Sequence, residues 1–129
     1  MLRSPVLRRI VRCAILSSAR HCLRWMMSGS RSRNKGARGE REVANILRAA
    51  GYDVNRTNQS DGAHSCDVDG VPGVWIEVKR SKRVNVRAGF RQACNDTDGR
   101  EPVVIWRDDR GEWMVDCRLE AWIKWVAGL

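Results

Sequence analysis

Four residues of this chain have types and spacings suited to one kind of chemistry. Asp67 and Glu77 are separated by nine residues, Lys79 follows Glu77 after one more, and Glu40 lies upstream. Cys66-Asp-Val-Asp-Gly70 and Val74-Trp-Ile-Glu-Val-Lys79 flank a turn at Pro72-Gly73 and read as a hairpin. Strand side chains alternate with period two, so Trp75, Glu77 and Lys79 share one face of the second strand while Val74, Ile76 and Val78 share the other. An odd-numbered turn, three residues at Val71-Pro72-Gly73 or five, sets Asp67 across from Glu77, so that both carboxylates meet Lys79; a four-residue turn sends Asp67 to the wrong side. Asp69 is the rival ligand, on the same face but nearer the turn.

Two neighbouring carboxylates are hard oxygen ligands suited to Mg²⁺ or Mn²⁺, and without a cation their repulsion raises one pKa. A metal so held can bridge a phosphate oxygen and a water, lowering the water's pKa and stabilising charge at phosphorus. Lys79 beside it can orient or deprotonate the attacking water, or neutralise the transition state. The stretch from Lys79 to Arg91 contains Lys79, Arg80, Lys82, Arg83, Arg87 and Arg91 and no acid, a basic patch suited to a phosphate backbone. Together these residues point to a phosphodiesterase acting on a polyanion.

Regular elements must hold these groups. A helix opens at about Asn34 and runs to Gly51, a natural C′ residue. Its inward stripe is Val43, Ala44, Leu47 and Ala50, and Glu40 precedes the first three by three, four and seven positions, which turns its carboxylate inward. The alternative for Glu40 is a favourable charge at the helix N-terminus. Glu42 lies off the stripe, within reach of Arg38. Tyr52–Arg56 alternates as a short strand, and a polar loop spans Thr57–Ser65. After the hairpin, residues 84–95 form a second helix in which Gly89 is the weak point. Pro102–Arg107 and Glu112–Asp116 make a second hairpin, and Leu119, Trp122, Ile123 and Val126 recur at the spacing of a closing helix. The order is αβββαββα, an α/β chain with a mixed sheet flanked by helices.

The charge is uneven. Residues 1–35 hold nine Lys and Arg and no acid, which equals the whole net charge of +9, and the remaining 15 basic residues balance 15 acids. Residues 1–33 are therefore expected to be a basic leader and residues 34–129 the domain. The leader fits an organelle transit peptide, a membrane-surface helix, or a chain whose translation starts at Met26 or Met27. Five widely spaced cysteines without a CxxC favour a reducing, cytoplasmic setting over a disulfide framework. No apolar run near the start approaches the roughly 20 residues of a membrane span. His64 and Cys66, with Asp61 nearby, lack a second ligand pair for zinc. Trp106, Trp113, Trp122 and Trp125 fall in apolar elements, which favours core or dimer packing over base stacking.

The chain resembles the PD-(D/E)xK nuclease superfamily, especially the small Holliday-junction-resolvase-like endonucleases of phages, prophages and archaea. The resemblance covers about residues 34–116 and rests on Lys35-Gly-Ala-Arg-Gly-Glu40, Cys66-Asp67-Val68 and Trp75-Ile-Glu77-Val-Lys79-Arg80. Cys66 stands where that family usually has Pro. The resemblance implies a restriction-endonuclease-like core. It also implies that Asp67 and Glu77 hold a metal with the Val78 carbonyl, that Glu40 is an outer or direct metal contact, and that Lys79 is the catalytic lysine. Gln92 looks like a glutamine that some branches place near the site. The expected substrate is DNA, branched as in a Holliday junction, cut by a two-fold homodimer to leave 5′-phosphate and 3′-hydroxyl ends. Arg80, Lys82, Arg83, Arg87, Arg91 and Gln92 are the expected DNA contacts, and neither a membrane nor a small-molecule partner is expected. The alternatives are a restriction-like or repair nuclease on linear or single-stranded DNA, and a non-catalytic nucleic-acid-binding module. The expected location is the cytoplasm of a bacterial, phage-infected or archaeal cell, with organelle import through residues 1–30 as the alternative.

Overall fold

A computed structural model of the chain describes residues 32–57 and 65–128. The leader expected at 1–33 falls outside it save for its last two residues, and Asp61 and His64 fall outside it too. The elements are α1 (Ser32–Ala49), β1 (Asn55–Arg56), β2 (Val68–Asp69), β3 (Val74–Ser81), α2 (Val86–Asp96), β4 (Glu101–Asp108), β5 (Met114–Asp116) and α3 (Leu119–Ala127). Their order is αβββαββα, and the mixed sheet with flanking helices is an α/β fold consistent with a restriction-endonuclease-like core.

The five strands lie side by side in chain order. β2 is antiparallel to its neighbours β1 and β3, β3 and β4 are parallel over their full lengths from Val74↔Glu101 to Ser81↔Asp108, and β5 closes antiparallel on β4. Parallel neighbours need a long crossover, and α2 supplies it. β3 is thus the central strand, covered on both faces. Its even-numbered Ile76 and Val78 pack with Val68, Val54 and the Val43–Ala44 stripe of α1. On the opposite face Trp75 packs with Cys66, Val104 and Ala93 of α2.

β1 and β2 are shorter than the runs Tyr52–Arg56 and Cys66–Gly70 read as strands, and two helices depart from the sequence reading. α1 begins at Ser32, about two residues before the expected start, so Glu40 is well past the first turn, which holds no acid. That removes the reading of Glu40 as a helix-terminal charge. α3 forms over the expected span but buries only Ala121. Leu119, Trp122 and Ile123 are exposed, as are Met114 and Val115 of β5. Among the described residues no helix is long and apolar enough to cross a membrane.

The β2–β3 turn depends on Gly70. Its φ of +122° is a conformation essentially reserved for glycine, and a Cβ there would overlap the Asp53 carbonyl oxygen and lie 2.8 Å from Val54 Cα. Gly73, at φ +73°, has open space around the same position. Gly70→Ala is expected to cost at least about 3 kcal/mol and Gly73→Ala about 1 kcal/mol, as read from urea midpoints. Equal costs would mean that the close approach of the turn to Asp53 is not a constraint.

Candidate active site

β3 places Glu77 and Lys79 on its α2 face, and the two side chains close on each other. Lys79 Nζ donates to Glu77 Oε1 at 2.6 Å and to Gln92 Oε1 of α2 at 2.9 Å. Glu77 is only 5% exposed, the one charged residue buried in the core among the described residues. A carboxylate so far removed from water needs a cation or donors to remain ionised, and Lys79 is that cation.

Asp67 arrives from the neighbouring strand. Val68 pairs with Ile76, a register that leaves the three-residue turn Val71–Gly73 and sets 67 across from 77. The chain bends there, however, because the Asp67 N–H also donates to the Ile76 carbonyl at 2.9 Å. Two residues then oppose one, as at a β-bulge, which re-aims a side chain. Asp67 consequently reaches along the strand pair, and its Oδ2 accepts the Val78 N–H at 2.7 Å. The Val78 backbone therefore links the two carboxylate positions. Burial, and next the charge of Glu77, push the Asp67 carboxyl up to about 7, against the pull of the Val78 N–H.

Glu40 of α1 is inward-facing, and its Oε2 accepts a hydrogen bond from Arg56 Nε of β1. Its charge also acts on Asp67, raising that carboxyl further. Arg56 did not stand out in the sequence; the only signal was a basic residue ending a short strand just before a polar loop. Asp69, the rival ligand, turns elsewhere and accepts from Arg100 Nη1 at 2.6 Å.

Among the described residues no three acidic, histidine or cysteine side chains crowd into a ready-made metal cluster. One oxygen of each carboxylate is instead turned to a group of the protein itself: Glu77 to Lys79, Glu40 to Arg56, Asp67 to the Val78 amide. The donor set nevertheless suits a hard divalent cation. It is all oxygen, and the repulsion from Glu77 that adds to burial in lifting Asp67 is what a cation between the two would relieve.

The basic residues divide. Lys82, Arg83, Arg87 and Arg91 are exposed. Arg80 is not available as a DNA contact, contrary to expectation: its side chain is 6% exposed and pairs with Glu42 Oε1 at 2.7 Å. The reason is parity, since Arg80 shares the α1 face with Ile76 and Val78. Glu42 takes Arg107 as a second partner at 3.1 Å and so is held by two guanidinium groups, not by Arg38. Gln92 is exposed but engaged with Lys79. Beside Lys79 a cavity of about 280 Å³ opens between the end of β3 and the start of α2, lined by Ser81, Asn85, Ala88, Gly89 and Gln92 among others.

Residues 31–93 match the family of archaeal Holliday junction resolvases (hjc), a PD-(D/E)xK-like nuclease family. The matched segment contains α1 through most of α2, and with them Glu40, Asp67, Glu77 and Lys79. No curated protein matches the chain.

The raised Asp67 pKa sets a sign for pH dependence. The folded metal-free protein holds this proton more tightly than the unfolded chain does, so the contribution of Asp67 to stability is full below the ordinary value of 3.8 and is lost as pH rises toward about 7. The Tm in chelator is expected to fall between about pH 5 and about pH 7.5, and Asp67→Asn should flatten that fall. An unchanged slope in Asp67→Asn would contradict the assignment.

Proposed function

From the match of residues 31–93 to a family of PD-(D/E)xK-like nucleases, we propose that this chain is a Mg²⁺- or Mn²⁺-dependent endonuclease that cuts branched DNA, four-way junctions above all. The observation that carries the reading is the pairing of Glu77 with Lys79 on one face of the central strand, with Asp67 bound to the amide between them. Asp67, Glu77 and the Val78 carbonyl would hold the cation, with Glu40 as an outer or direct contact. Such a cation polarises a phosphoryl oxygen and acidifies a water. Lys79, at the rim of the same niche, orients the attacking water and offsets the charge that develops on phosphorus. In the reaction a P–O bond to water forms, the P–O3′ bond breaks, and a proton goes to the 3′ oxygen, leaving a 5′-phosphate.

Lys82, Arg83, Arg87 and Arg91 follow the site along the start and outer face of α2, which supports their role as contacts to the DNA backbone. The exposed apolar residues of β5 and α3 support a homodimer, and a two-fold pair of sites suits the two symmetric strands of a four-way junction. Free thiols at Cys66, Cys94 and Cys117 are in keeping with a cytoplasmic setting.

The test is a cleavage panel in Mg²⁺ on four-way junction, flap, linear duplex and single-stranded DNA of one sequence. Paired nicks in opposed strands of the junction are expected, with Lys79→Ala slowing single-turnover cleavage by at least about 100-fold while junction binding persists. Cleavage of linear or single-stranded DNA in preference to the junction would favour a restriction-like or repair nuclease. Binding without cleavage by the wild type would favour a non-catalytic module.

A further inference from the structure

Glycine is a poorer choice than alanine inside a helix, yet Gly89 sits in the first half of α2 and is buried. Its neighbour across the interface explains it. A Cβ on Gly89 would lie 3.2 Å from Lys79 Cγ and 3.6 Å from Lys79 Cε, tighter than a relaxed contact at the first of these. A free lysine would swing aside, but this one is tied at its far end. Its ammonium donates at once to Glu77 and to Gln92, and Gln92 stands three residues after Gly89, on the same face of α2. The stem therefore has no slack to yield without moving the ammonium.

We propose that Gly89 and Gln92 are positioning residues for Lys79: the bare backbone at 89 is a slot through which the lysine stem crosses α2, and the carboxamide at 92 fixes where its ammonium ends. α2 would then share with β3 the task of placing this group. The kinetic consequence rests on the nuclease reading above, whereas the steric claim does not.

The steric claim is tested by thermal melts, without DNA or metal, of wild type, Gly89→Ala, Lys79→Ala and the double variant. In the Lys79→Ala background Cγ is gone, the remaining Val104 Cγ1 contact at 3.6 Å is an ordinary one, and alanine's helix preference should raise the Tm by about 4 °C. In the wild-type background the same substitution should lower the Tm. A Gly89→Ala shift of the same sign and size in both backgrounds would overturn the slot. Should the unpaired Glu77 keep Lys79→Ala from folding, the cycle is run with Glu77→Gln in all four proteins, with the same two outcomes.

In the kinetic arm, Gly89→Ala and Gln92→Ala are expected to lower kcat on the junction about 10- to 100-fold with little change in KM or junction Kd. Gln92→Glu, which keeps the acceptor, should recover most of the loss. A rise in KM and Kd at constant kcat would make Gln92 a DNA contact and overturn its positioning role. A wild type that cuts no DNA would count against the nuclease reading alone, with the melts still deciding the slot.

Discussion

A carboxylate sits inside the central strand of this sheet, and much of the surrounding structure answers to it. Glu77 has helices over both faces of its strand and almost no access to water, so its charge must be compensated at short range. Lys79, two positions along and on the same face, curls back to do so. That one ion pair fixes the direction of the lysine, requires α2 to leave room for its stem, and leaves Asp67 facing a second buried negative charge. The bent strand end at Asp67 then lets its oxygen take the Val78 amide, so that both carboxylate positions are tied to the same three residues of β3. Both are compensated internally in a way a divalent cation could take over.

The guanidinium groups show how a basic sequence divides between folding and ligand contact. Arg80 and Arg107 converge on Glu42, and Arg107 also covers the Trp113 ring at 4.9 Å, joining α1 to β3, β4 and the β4–β5 connection. Arg100 does similar work at the other end, over Trp75 at 5.2 Å and paired with Asp69 and Asp98. These cations are internal cross-links. Lys82, Arg83, Arg87 and Arg91, exposed and following Lys79 in the chain, have no such cross-link among the described residues, which is why local position, not net charge, singles them out as the proposed DNA contacts.

Much of this was legible in the sequence, and the reasons differ by residue. The alternation of Val74–Lys79 placed Glu77 and Lys79 on one face because period two is a property of the strand itself. Applied one residue further, it also puts Arg80 on the opposite face; clustering of charge along the chain hid that parity. The apolar stripe of α1 gave the inward direction of Glu40, while Arg56 as its partner required knowing which strand lies beside it. The bend at Asp67 was illegible, since an extra residue at a strand end leaves no mark in composition or periodicity. Nor did the periodic apolar residues of α3 reveal that the face they form lies on the surface: periodicity defines a stripe, and only the rest of the chain decides what covers it.

The central claim, that Asp67 and Glu77 together form a cation site, is tested most directly by titrating the protein with Mn²⁺ in a calorimeter, without DNA, alongside Asp67→Asn, Glu77→Gln and Asp69→Asn. Binding in the wild type, weakened by at least about 10-fold in the first two variants and unchanged in the third, is the expected result. Mn²⁺ affinity that survives loss of Asp67 and Glu77, or that is lost with Asp69, would contradict it.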